Sequence, residues 1–135
     1  MLVMRHERGF SLIEVLAALL ILTFVVTSSL WAFLERNRRL QQASEIMLAY
    51  QALANEAEYL RRENFASLET YGQEFKSLED TTLLLPLEPY GTAVKVEVVQ
   101  PGVKNVTMTI RWHNGEREAR LGLVRVETGG GGPLF

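Results

Sequence analysis

Between Phe10 and Leu34 the chain carries a single ionisable side chain, Glu14, among residues that are otherwise apolar or small and uncharged. At ~1.5 Å per residue this run makes about 37 Å of helix, enough to cross the ~30 Å hydrocarbon core of a bilayer with some tilt. A helix apolar on every side has no place on the surface of a small soluble domain, so the segment predicts a membrane span. A cleaved secretory signal also starts basic and continues apolar, but its apolar core is typically ~7–15 residues and ends at a small-x-small site. Here the run is longer and ends in Trp31-Ala32-Phe33-Leu34, followed by Glu35-Arg36-Asn37-Arg38-Arg39, while the small residue, Gly9, precedes it. Arg5 and Arg8 flank one end and Arg36, Arg38 and Arg39 the other, so charge does not decide orientation. A cytoplasmic amino terminus is the simpler expectation, because most of the chain follows the span.

Glu14 is the residue that needs a reason. A carboxylate at the centre of a bilayer costs ~2.5–3.5 kcal/mol, less near a helix end, and no Lys or Arg lies within the span to pair with it. Ser11-Leu12-Ile13-Glu14 matches a capping box, in which Ser11 accepts from the third helical amide and Glu14 reaches back, and this alone accounts for the acid in an uncut chain. The order Gly9-Phe10-Ser11-Leu12-Ile13-Glu14-Val15-Leu16, behind a basic leader, also resembles the processing signal of type IV prepilins and pseudopilins. The resemblance implies that a prepilin peptidase/methyltransferase cuts on the cytoplasmic face between Gly9 and Phe10 and methylates the new Phe10 amine. That amine has a reference pKa of about 7.7–8.0 and is largely protonated near neutral pH. The resemblance further implies that Glu14 engages the Phe10 amine of another subunit and draws the incoming chain into register. Other pilins or pseudopilins and an inner-membrane assembly platform are then the expected partners. Storage as a single-pass inner-membrane protein, with the globular part extracytoplasmic, would precede assembly. Many family members carry a Pro in the membrane half of the helix, and this chain has none.

Beyond the span no Gly occurs until Gly72 and no Pro until Pro86, which predicts one helix from Phe10 to about Asn64; two helices joined at Glu35 to Arg39 is the alternative. Ala43, Ile46, Met47, Tyr50, Leu53, Ala54, Ala57 and Leu60 recur at three and four spacings and form the expected packing stripe, with Arg61 and Arg62 complementing the helix dipole. Residues 65–91 read as a connecting region, with Thr81 to Leu85 a candidate edge strand. Residues 92–128 read as an antiparallel meander. Asn114-Gly115 is a type I′ hairpin signal that pairs Ile110 with Ala119, Met108 with Leu121 and Val106 with Leu123. A loop centred on Gly102 pairs Val98 with Val106, Val96 with Met108 and Val94 with Ile110, and a bulge is expected near Gly122 because Val124 and Val126 fall out of phase. The resulting apolar face needs a cover, so the fold class is α+β, pilin-like: a long amino-terminal helix packed on a small antiparallel sheet of 3–4 strands. The expected organisation is a removed leader 1–9, a membrane and filament-core segment 10–34, an extracytoplasmic domain 35–128 whose helical part is 35–64, and a Gly-rich tail 129–135. The strand Val103 to Trp112 with its Asn-Gly turn adds a weaker resemblance to minor pilins and pseudopilins of the V and I types.

The chain has no cysteine, so no disulfide or thiolate metal site forms, and no cofactor is expected. Its two histidines, His6 and His113, have no metal-spaced companions, there is no nucleophile elbow or phosphate-binding glycine loop, and an enzyme is not expected. Thirteen acidic against nine basic side chains after Leu40 give no support for sequence-independent DNA binding, although Arg117, Arg120, Arg125, Lys95 and Trp112 are candidates for a local patch. The favoured function is a minor structural subunit of a type IV pilus or a type II secretion-like pseudopilus. The alternatives are a competence pseudopilin or filament-tip module touching DNA, cargo or surfaces, and an unrelated single-span membrane protein.

Overall fold

The computed structural model describes residues 9–79 and 81–128, so the leader apart from Gly9 and the Gly-rich tail lie outside the described residues. Helix α1 runs Leu12–Arg62 as a single element, the unbroken alternative, in a stretch free of Gly and Pro. Ser11 caps it: the Glu14 amide donates to Ser11 Oγ at 3.3 Å. Inside the apolar half, the hydroxyls of Thr23, Thr27 and Ser29 donate to the carbonyls of Leu19, Thr23 and Val25 at 2.7, 2.8 and 2.8 Å, so these polar groups are satisfied within the helix. Among the described residues α1 is the one helix long and apolar enough to cross a membrane.

The chain divides into two compact units between Gln41 and Gln42. In the second, the sheet has the order β1 (Tyr90–Gln100), β2 (Val103–Trp112), β3 (Arg117–Val126), all antiparallel. The helix part of this unit packs on one face of the sheet. Ala49, Ala52, Leu53, Ala57 and Leu60 meet a core that includes Val106, Met108, Ile110, Trp112 and Ala119. The alanines are small enough to let helix and sheet approach closely, and the larger Leu53, Leu60 and Trp112 fill the space between them.

Four local expectations are corrected here. The packing stripe is rotated: Ala43, Ile46, Met47, Tyr50 and Ala54 are exposed, while Glu45, Ala49, Ala52 and Glu56 are buried. Thr81 to Leu85 form no strand; the connecting region instead contains three short 3-10 turns, Phe65–Thr70, Lys76–Leu78 and Leu85–Leu87, which bury Leu68, Tyr71, Phe75, Leu84 and Leu87. The β1–β2 register differs by two residues, with Val96 opposite Val106 and Val94 opposite Met108. The turn is Pro101-Gly102, with Gly102 at φ +81°, and an irregularity between Val98 and Gln100 takes up the remaining residue. Because the shift is even, the valines keep their face. Finally, β3 runs without a bulge at Gly122, and Val124 and Val126 simply stand exposed on the outer face. The β2–β3 register is the expected one, set by Asn114 (φ 56°, ψ 27°) and Gly115 (φ 89°) with the Glu116 amide donating to the His113 carbonyl at 3.1 Å.

Candidate functional site

The amino-terminal turns carry the sequence-predicted residues. Gly9 and Phe10 precede the helix, and Phe10 is 81% exposed. Phe10 and Glu14 line one shallow concavity with Val15, Ala18, Leu19 and Leu22. A carboxylate and the aromatic residue after Gly9 therefore share one apolar surface, four residues apart. Of the capping box, the Ser11 half is formed; among the described residues the Glu14 carboxylate itself accepts no bond.

The family described as the prokaryotic N-terminal methylation motif matches residues 4–30, which takes in Gly9, Phe10, Glu14 and most of the apolar run. This motif supports the type IV prepilin and pseudopilin family. The long helix on a three-stranded antiparallel sheet is a pilin-like α+β arrangement, in keeping with that motif. No curated protein and no solved structure matches it. The motif points to a structural subunit, to processing by prepilin peptidase and to assembly with other pilins, and together with the apolar helix it fits an inner-membrane-anchored protein.

The globular unit is held by buried polar groups that the sequence pattern did not reveal. Glu56, fully buried, accepts from the Tyr71 hydroxyl at 2.5 Å and from the backbone amides of Lys76 and Ser77 at 3.2 and 2.9 Å. It thus holds the start of the 3-10 turn Lys76–Leu78 against the helix. Burial, and then the hydrogen bond and charge of Glu56, push the Tyr71 hydroxyl pKa far up, so it stays a donor. Lys76 Nζ lies 4.3 Å from the Tyr71 ring centroid and adds a cation–π contact.

Glu45 anchors the same helix face to the β2–β3 hairpin. Its carboxylate lies 3.2 Å from Trp112 Nε1, 3.1 Å from His113 Nε2 and 2.5 Å from Arg117 Nη1. Burial raises its pKa, but the hydrogen bonds of His113 and Trp112 and the charge of Arg117 outweigh this and hold it below the ordinary value. At the other end of the helix, Arg125 donates to the carbonyls of Leu60 and Glu63 at 2.5 and 3.0 Å, so the principal cap of α1 comes from β3. Lys104, also buried, donates to the Phe65 carbonyl at 2.7 Å and pairs with Glu69.

These contacts dismantle the candidate basic patch. Arg117 and Arg125 are turned inward, Trp112 is buried, Arg120 pairs with Glu118, and Lys95 pairs with Glu97. The open cleft beside the start of β1 is lined by Glu74, Glu79 and Glu88 next to Phe75, Leu78 and Tyr90, a surface that repels a phosphate backbone. The buried acids had one legible signal. Glu45, Ala49, Ala52, Leu53, Glu56 and Leu60 also recur at three and four spacings, but a stripe containing two carboxylates scores as surface unless their partners are known.

Proposed function

We propose that the chain is a minor structural subunit of a type IV pilus or pseudopilus, stored in the inner membrane and drawn into a helical filament after its leader is removed between Gly9 and Phe10. Phe10 then carries the methylated amino terminus, and Glu14 recruits the Phe10 amine of a neighbouring subunit. The observation that carries this reading is the methylation motif over residues 4–30, with one carboxylate in the otherwise uncharged, exposed stretch from Phe10 to Leu34. The logic is physical: in hydrocarbon a lone acid gains most from an opposite charge, and cleavage creates one at the matching depth of the next subunit. The small globular unit, built on three strands, supports a minor rather than a principal role.

The engagement of inward arginines and the acidic cleft favour the pilus and secretion readings over a DNA-contacting competence module. The assembly step is tested by Glu14→Ala. Cleavage and membrane insertion are expected to persist while incorporation into sheared filaments falls about tenfold or more, the loss of one charge-assisted hydrogen bond of ~1.5–3 kcal/mol. Unchanged incorporation would overturn the pairing of Glu14 with the Phe10 amine.

A further inference from the structure

The apolar run ends in two exposed aromatic side chains, Trp31 (72% exposed) and Phe33, and three arginines follow within the next two turns of the same helix. Arg39 is already occupied, its Nε lying 3.0 Å from Glu35 Oε1. Arg36 and Arg38 are exposed, and among the described residues neither pairs with a carboxylate. At ~100° per residue Arg38 falls beneath Trp31 and Arg36 about 160° away around the axis, so the two guanidinium groups form a collar rather than a stripe.

Depth follows from length. If the Phe10 end sits at one edge of the ~30 Å hydrocarbon layer, a tilted helix brings Trp31 to Leu34 to the opposite edge, and Arg36 and Arg38 then lie within about 6 Å of that edge. That is the layer of the lipid phosphates. A guanidinium offers a planar pair of donors that fits two phosphate oxygens, and tryptophan favours the same boundary.

We propose that Arg36 and Arg38 form a binding collar for the phosphodiester of anionic phospholipids, which fixes the depth of the stored subunit and is exchanged for protein contacts when the subunit leaves the membrane. The proposal rests on the membrane-stored reading. Its occupant is a lipid headgroup, because the collar is continuous with a lipid-length apolar surface and carries positive charge that no carboxylate among the described residues pairs. Glu35 has the opposite effect: by holding Arg39 it keeps the third arginine out of the collar.

The test is lipid selectivity at the helix boundary. The full chain is reconstituted into phosphatidylcholine vesicles, and the motionally restricted fractions of spin-labelled phosphatidylglycerol and phosphatidylcholine are compared for the wild type and for the double variant Arg36→Gln/Arg38→Gln. The wild type is expected to prefer phosphatidylglycerol, and the variant to lose roughly fivefold of that preference per arginine at low salt. Arg5 and Arg8 remain in both proteins, so any selectivity they supply cancels in the comparison. Restricted lipid with equal selectivity in both proteins would overturn the collar and leave the membrane span standing. No restricted lipid at all would overturn the span, and the collar with it.

Discussion

Removing the Glu56 carboxylate should be the most damaging single change in the globular unit. Glu56→Ala leaves the buried Tyr71 hydroxyl without its acceptor and takes the acceptor from the Lys76 and Ser77 amides, all of which the carboxylate serves at 2.5 to 3.2 Å. Breaking a buried, charge-assisted cluster from one side costs about 3–5 kcal/mol, against a total of ~5–15 kcal/mol for a domain. Glu56→Gln keeps one acceptor oxygen and should cost about 1–2 kcal/mol, as should Tyr71→Phe, which leaves the two amides to satisfy the acid. The assay is urea denaturation of the unit from Gln42 onward, which contains Trp112 but not Trp31 and so reports through one buried indole. The slope should stay constant while the midpoint falls. Amide exchange at Lys76 and Ser77 should accelerate in Glu56→Ala well beyond the rest of the unit. If Glu56→Ala costs less than about 1 kcal/mol, the carboxylate is not what ties the connecting segment to the helix, and the reasoning fails.

The other predictions concern the anchors at either end of the same helix face and one turn. Glu45 has a folded pKa below its ordinary value of 4.5, so its stabilising contribution is complete above the unfolded value and is lost as pH falls through the lower folded one. Acid titration of stability should therefore be steeper below about pH 4.5 in the wild type than in Glu45→Gln, and equal slopes would remove Glu45 from the account. Arg125→Met should cost about 1–3 kcal/mol by leaving the Leu60 and Glu63 carbonyls uncapped, with amide exchange in the last turn of α1 as the readout. Gly102→Ala should destabilise by about 1–2 kcal/mol, because a Cβ at φ +81° is strained even though its nearest neighbours, on the Glu127 side chain, stand at an ordinary 3.8 and 3.9 Å.

How far the sequence could be read depended on where a local rule outweighed its competitors. Asn114-Gly115 demands left-handed backbone at both positions, so it fixed the β2–β3 register to the residue. The upstream turn carries the equally strong Pro101-Gly102, but centring the loop on Gly102 and not allowing an irregularity at Val98 to Gln100 moved every partner by two. Alternation survives an even shift, so the apolar face was right although the pairs were wrong. Val124 and Val126 misled in a different way: an exposed valine on an outer sheet face is common, and it did not require a bulge.

The helix stripe is the more instructive failure. Ile46, Met47 and Tyr50 are larger and more apolar than Glu45, Ala49 and Ala52, yet they face outward. What decides the face is the pair of acids, each with partners far along the chain: Trp112 and Arg117 for Glu45, Tyr71 and Ser77 for Glu56. No window along the helix contains that information. At the amino terminus the opposite holds, because the methylation motif lies in one contiguous stretch, residues 4–30, and a short window suffices to read it.

The central claim is that proteolysis converts a capped membrane helix into an assembly-competent one. Intact mass and amino-terminal fragmentation of the protein extracted from membranes of cells containing prepilin peptidase test it directly. The expected chain begins at a methylated Phe10, and a chain that retains its Met1 or Met4 start in those cells would contradict the proposed cleavage.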